Sequence, residues 1–395
     1  MSGRPAVSGE RADGTLNAVT GLARRERIRA FDLAAGLAVF FMILVHVLWH
    51  WGRPETWTTP IGEAVSYAAG PTAAPVFAFL MGASFGAAPR TTFGTMAARG
   101  LWLVFLGYAL NALRGVIPAT LGFAAGVITP EQVAPYDAWW LATTVDLHMM
   151  IGLSLLAAAA LRTRLEPGWS WVAIAAAVVL ISPPVRTFTA GTPLLDAPLT
   201  PILGHAPNVY YAIVPWLAFP LIGAAFGAAM ARSRDRGRLF ARAAAVGAVV
   251  LAIGLGLIAW ERPGFDVFTY WRMPISFAVA IVGLILVWLA LGEAVTRIPA
   301  IDRRLGIVYG WSDRVIAMYF AHWIIVGWAI GLVGFRALDL PAVLVAMAAA
   351  VVATHYGSRL AVKLESSWWE RRQPGVVRTG RSELAVDVGP SREPG

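Results

Sequence analysis

Six histidines, at 46, 50, 148, 205, 322 and 355, are the side chains of this sequence best suited to move a proton near neutral pH. Two of them close an apolar stretch that opens with a carboxylate: Arg27-Ile-Arg-Ala-Phe-Asp32-Leu-Ala-Ala-Gly36-Leu-Ala-Val-Phe-Phe-Met-Ile-Leu-Val-His46, with His50 one turn further on. At about 100° per residue, Asp32, Gly36, Ile43, His46 and His50 share one helical stripe. Ionisable groups inside a membrane span are costly and face a protein interior or a watery cavity. The stripe therefore points away from lipid. Asp32 cannot orient His46 directly, because roughly 21 Å of helix separates them.

Other candidates fall at the same depth. Asn111 lies in the third apolar segment, Asp146 and His148 in the fourth, Arg272 before the eighth and His322 in the ninth, so each belongs to the outer half of the membrane. Any single one is readily explained as an interhelical hydrogen-bonding residue. Their gathering at one depth points to a site. Asp146 and His148 are two apart and do not face each other on one helix. The only ligand-like spacing is His46 and His50 at i,i+4, without a supporting carboxylate, so no metal site is expected. Neither a Ser-His-Asp arrangement nor a phosphate-binding Gly loop is visible, which argues against a primary pump.

The elements that must position these groups follow from composition. The 395 residues are 58% hydrophobic and only 14% charged, against about 25% charged in soluble domains. Apolar runs of about 20 residues recur along the chain, and the alternating pattern of a β-barrel is missing. The expected fold is all-α, a polytopic membrane helical bundle. Its spans are expected at about 29–49, 65–87, 100–117, 141–161, 169–190, 209–231, 240–260, 273–294, 313–334 and 341–362. Pro71 and Pro75 should kink the second, and Pro183-Pro184 should end the fifth. Residues 1–26 read as a disordered segment, 27–362 as the transmembrane unit and 363–395 as a polar tail. A removable signal peptide is not expected.

Basic residues orient the bundle. Of 32 Lys and Arg, 31 are Arg, and most flank one side of the spans: Arg24 to Arg29, Arg162, Arg164, Arg232 to Arg242, Arg303, Arg304, Arg359. The other side keeps only Arg53, Arg114, Arg186, Arg262, Arg272 and Arg336. That asymmetry places ten spans with both termini cytoplasmic, in the cell membrane. The net charge of +9 is then topology charge rather than a nucleic-acid surface. The lack of Cys excludes disulfides, thiolate metal sites and a cysteine nucleophile.

Arg27-x4-Asp32-x3-Gly36-x5-Met42-x3-His46 resembles the opening helix of membrane acyltransferases of the heparan-α-glucosaminide N-acetyltransferase type and their wider superfamily. Pro71-Thr-Ala-Ala-Pro75-Val-Phe77-Ala-Phe79-Leu-Met-Gly82 is similar to the phenylalanine-rich second span. Asp146-Leu-His148-Met-Met-Ile-Gly152, Pro215-Trp216 and Trp311-Ser312-x6-Tyr319-x2-His322 are weaker echoes. Before Gly36, where the family usually has Arg, this chain has Ala35. The resemblance implies an acyl-CoA-dependent transmembrane acyltransferase. It would take acetyl-CoA or another acyl-CoA from the cytoplasm and acylate a sugar or other hydroxyl or amine acceptor at the outer face.

In that reading Arg27, Arg29 and Arg314 meet the CoA phosphates, although the same arginines are equally explained as flanking topology charge. Asp32 fixes one of them or caps the helix. His46 is the first candidate for the acid–base group, with His148 and His322 next. His50, Asn111, Asp146 and Arg272 support them. Expected partners are the lipid bilayer, acyl-CoA and a glycan or small-molecule acceptor, with no nucleic acid and with a homodimer left open. The rival reading is a proton-coupled transporter or exporter, since carriers also place Asp, His and broken helices in spans; no repeat relates the two halves.

Overall fold

The computed structural model describes residues 27–89, 92–204, 206–262 and 267–372. Residues 1–26, His205 and the tail beyond Arg372 lie outside the described residues. Ten helices carry the architecture: α1 Arg29–Trp51, α2 Pro60–Ala87, α3 Phe93–Ala124, α4 Leu147–Arg162, α5 Trp169–Leu180, α6 Ile213–Arg232, α7 Arg236–Glu261, α8 Ile275–Thr296, α9 Val315–Val333 and α10 Leu340–Arg372. The fold is an all-α polytopic membrane bundle. Among the described residues eight helices are long and apolar enough to cross a bilayer, while α4 and α5 are shorter.

The two short helices depart from the expected spans for identifiable reasons. The span expected over 141–161 is interrupted: Ala138–Thr143 forms a separate short helix, and Val145 leaves the helical path to bridge Val209. Asp146 then caps α4, its Oδ1 accepting from the Leu147 N–H at 2.7 Å. Helix α5 stops at Leu180 and Ser182–Arg186 begins anew, because Pro183 and Pro184 cannot continue the ladder. The last helix does not end at 362 but runs on to Arg372.

Glycine decides how closely the helices pack. Gly82 and Gly86 of α2 lie against the backbone of Pro220 and Ala224 in α6, and Gly223 and Gly227 of α6 lie against Phe79 and Ala83. The contact is thus a reciprocal pair of small-xxx-small surfaces, in which any Cβ would meet main chain. Gly100 meets Gly152 between α3 and α4 in the same way. Helix α2 breaks at Ala73 (φ −98°, ψ −91°) between Pro71 and Pro75. The Tyr270 hydroxyl donates to the Gly70 carbonyl beside the break at 2.6 Å, satisfying main chain that water cannot reach.

Helix α1 stands among α2, α8, α9, α10 and the short helix Gly306–Ser312. Gly36 allows the Val308 main chain to lie directly against it. At the far end, the Trp51 indole N–H donates to the Val326 carbonyl at 3.0 Å. Arg336 and Leu338 main-chain N–H groups donate to His50 and Trp51 carbonyls at 2.8 Å each. The α9–α10 connection is thereby tied over the last turn of α1.

Candidate functional site

Helices α1 and α9 bring together two histidines 276 residues apart: His46 Nδ1 and His322 Nε2 are 3.1 Å apart. The hydrogen bonds around them fix the tautomers of neutral rings. His322 Nδ1 faces the Met318 carbonyl at 3.2 Å, which can only accept, so this nitrogen carries the proton. His322 Nε2 is then an acceptor, and His46 Nδ1 donates to it. That leaves the lone pair of His46 on Nε2, which takes no protein partner among the described residues. His50 repeats the pattern, its Nδ1–H donating to the His46 carbonyl at 2.9 Å. The His46 ring also rests against Trp323, with centroids 4.1 Å apart.

The ionic part of the site sits where two helices lose regularity. Helix α3 passes through a π-helical turn, Ala112–Val116, carrying Arg114. Arg114 Nη1 lies 2.7 Å from Asp146 Oδ2 at the start of α4. Its Nη2 donates to Asn111 Oδ1 at 3.1 Å, and its Cζ is 3.9 Å from the Trp323 ring centroid. Asn111 Nδ2 donates in turn to the Thr144 carbonyl at 2.7 Å, holding the interrupted segment in place. Tyr319 Oη–H donates to Asp146 Oδ2 at 3.3 Å. Each charge is met by an opposite charge or a hydrogen bond, as burial demands.

His46, Asn111, Arg114, Thr144, Asp146 and Trp323 line a cavity of about 880 Å³ that also includes His50, Tyr136, Tyr211, Trp271 and Arg336. A second void of about 30 Å³, with room for one small group, adjoins from the other side against Met42, Gly70, Ala73 and Tyr319. His46 and Asp146 border both spaces. With Trp49 and Tyr211, which also border both, they stand between the large cavity and the small pocket.

Not every expected residue joins them. His148 is buried behind Tyr319 and Phe320, with ring centroids 4.3 and 5.3 Å away, and borders neither space; two residues beyond Asp146, it turns to another face of α4. His322 is fully buried behind His46 rather than on the cavity wall. Arg272 is exposed and off the cavity, while its neighbour Trp271 lines it. Arg114 and Trp323 are components that sequence reasoning missed, and Tyr319 enters it only within the weak family echo that ends at His322. Arg114 carries a signal, as a cation inside an apolar segment with an Asp in another, but by position it belongs with the sparse outer charges.

At the opposite end of α1, Arg27, Arg29 and Arg314 gather around Gly306–Ser312. Arg27 pairs with Asp32 and, at 2.7 Å, with Asp313, and these carboxylates, Asp32 foremost, raise its pKa above the usual guanidinium value. Ser312 Oγ–H donates to Asp32 at 3.2 Å. Arg29 lies 4.7 Å over the Tyr309 ring. Burial, and then the neighbouring Arg359, lower the Arg314 pKa. Among the described residues no group of three or more His, Asp or Glu is arranged to hold a metal ion.

A comparison with known families places the chain. A profile of the heparan-alpha-glucosaminide N-acetyltransferase catalytic family matches residues 27–259. The chain belongs to that family. None of the curated proteins matches it. Membership makes this a protein of the membrane acetyltransferase type, and acetyl-CoA is the donor that heparan-alpha-glucosaminide N-acetyltransferases use. The match spans α1 to α7 and so contains His46, Arg114 and Asp146, while His322 and Trp323 come from α9 beyond it.

Proposed function

We propose that this chain transfers an acetyl group from acetyl-CoA to a hydroxyl or amine of a sugar acceptor held in the large cavity, with His46 as the general base. One observation carries the reading: the Met318–His322–His46 hydrogen-bond chain leaves the free lone pair on Nε2 of His46, a residue that lines both spaces. The acceptor oxygen or nitrogen attacks the thioester carbonyl carbon and gives its proton to Nε2. Imidazolium is then formed with its Nδ1–H still donating to His322, a bond that strengthens when the donor is charged. Arg114, over the same Trp323 that His46 touches, is the cation that stabilises the developing oxyanion. Collapse of the adduct breaks the C–S bond, and the CoA thiolate takes the proton back from His46. His322 positions His46, and His148 has no step.

The basic residues support an orientation with the arginine-rich end of α1 and both termini in the cytoplasm, in the cell membrane, so that the large cavity faces the outer side. Arg29 and Arg314 then receive the CoA phosphates, Arg27 being already matched by Asp32 and Asp313. The experiment is direct. Purified protein with labelled acetyl-CoA and glucosamine-terminated oligosaccharides should give acetylated acceptor and free CoA in equal amounts. Release of CoA without acetylated acceptor, or no consumption of acetyl-CoA, would refute the reading.

A further inference from the structure

The large cavity is polar on one side only. Besides Trp323, its α9 wall includes eight consecutive residues, Ile325 to Leu332. A helix facing a cavity with a single face contributes every third or fourth residue, so this cavity reaches past α9 onto its outer flank. The facing wall comes from the last turns of α3 and the residues after it, including Leu121 and Val127. Leu332 is 89% exposed, Val127 54% and Leu121 53%, and all line the cavity. Side chains so apolar and so exposed are suited to meet lipid tails rather than water.

The two helices cross and then part. At Gly327 the Arg114 carbonyl lies so close that no Cβ would fit, and the Trp328 indole N–H donates to the Leu113 carbonyl at 2.9 Å. One turn further out, at Gly331, a Cβ would meet only ordinary contact with Val127, at 3.8 Å. An apolar cleft therefore opens sideways above the crossing and runs into the space beside His46.

Charge names the other half of the ligand. Arg114 and Arg336 line the cavity against one carboxylate, Asp146, so with neutral histidines one positive charge is left over. Arg336 supplies it. Its guanidinium carbon is 4.8 Å from the Trp57 ring centroid and 4.8 Å from that of Phe335, and its buried Nε has no partner. No carboxylate pairs with it among the described residues. Its main chain is held at φ 52°, a conformation unfavourable for a residue with a Cβ and kept by the hydrogen bond to His50.

We propose that the acceptor is a lipid-anchored sugar phosphodiester. Its chain occupies the cleft between α3 and α9, its phosphate meets Arg336 and its sugar reaches His46. The inference rests on the acetyltransferase reading and narrows its acceptor class. The test compares glucosamine phosphodiesters carrying a dodecyl or a methyl group, and a dodecyl glucosaminide without phosphate, as acceptors for full-length protein with acetyl-CoA. Saturable binding of the labelled dodecyl phosphodiester is measured separately.

The expected result is at least a tenfold higher kcat/KM for the dodecyl than for the methyl phosphodiester. Leu332→Glu should bring that ratio towards one, and Arg336→Gln should remove the advantage of the phosphodiester over the uncharged dodecyl glucosaminide. Equal kcat/KM for all three acceptors in the wild type would overturn the proposal, as would acetylation confined to soluble oligosaccharides. Saturable binding that Leu332→Glu abolishes, without any transfer, would uphold the lipid site and refute the acetyltransferase reading alone.

Discussion

Arg114 and Asp146 meet at 2.7 Å across two helices that both lose regularity at the point of contact. The π-helical turn of α3 carries the cation, and the first main-chain N–H of α4, on Leu147, donates to the anion. Both side chains are less than a tenth exposed. Removing one member leaves an uncompensated buried charge, which typically costs about 3–5 kcal/mol. Asp146→Ala and Arg114→Ala should each lower the unfolding midpoint in detergent, and the double variant should lose less than the sum. Additive losses would show that the pair is not coupled in the folded protein.

The arginines at the other end of α1 separate into two kinds. Arg27 is engaged by Asp32 and Asp313, whereas Arg29 and Arg314 have no carboxylate partner among the described residues. Arg29→Gln and Arg314→Gln should raise the KM for acetyl-CoA with little change in kcat, and added salt should reproduce part of that effect. Arg27→Gln should chiefly lower stability. An unchanged KM in the Arg29, Arg314 double variant would remove CoA from this end of the bundle.

Orientation is separately testable. Reporter fusions after Arg236 and after Arg372 should read cytoplasmic, and fusions within 191–204 external. A cytoplasmic readout at 191–204 would turn the large cavity to the other side of the membrane and with it the proposed acceptor.

Much of this was legible in the sequence because lipid imposes a long apolar period. Segments expected at 29–49, 209–231, 273–294 and 313–334 correspond to α1, α6, α8 and α9, and His46 was singled out by its place on a polar stripe. What escaped reflects tertiary contact. Hydropathy runs on through Thr144 to Asp146, so the break before α4, held by Asn111 and the Val145–Val209 bridge, left no mark in composition. His322 reads as one more intramembrane imidazole until α9 packs beside α1. Arg114 reads, like Arg53 and Arg336, as flanking charge, because positive residues near span ends serve topology more often than chemistry.

The central claim is that His46 Nε2 takes the acceptor proton, with His322 setting its tautomer. The most direct measurement is the single-turnover rate of acetyl transfer to a glucosamine acceptor by wild type, His46→Ala, His322→Phe and His50→Ala, each with its acetyl-CoA affinity. Loss of a general base costs about 10²–10⁴-fold. His46→Ala should fall in that range with acetyl-CoA binding retained, His322→Phe should lose on the order of 10²-fold through misplacement of the base, and His50→Ala should be milder. A His46→Ala protein that transfers acetyl groups at the wild-type rate would contradict the account.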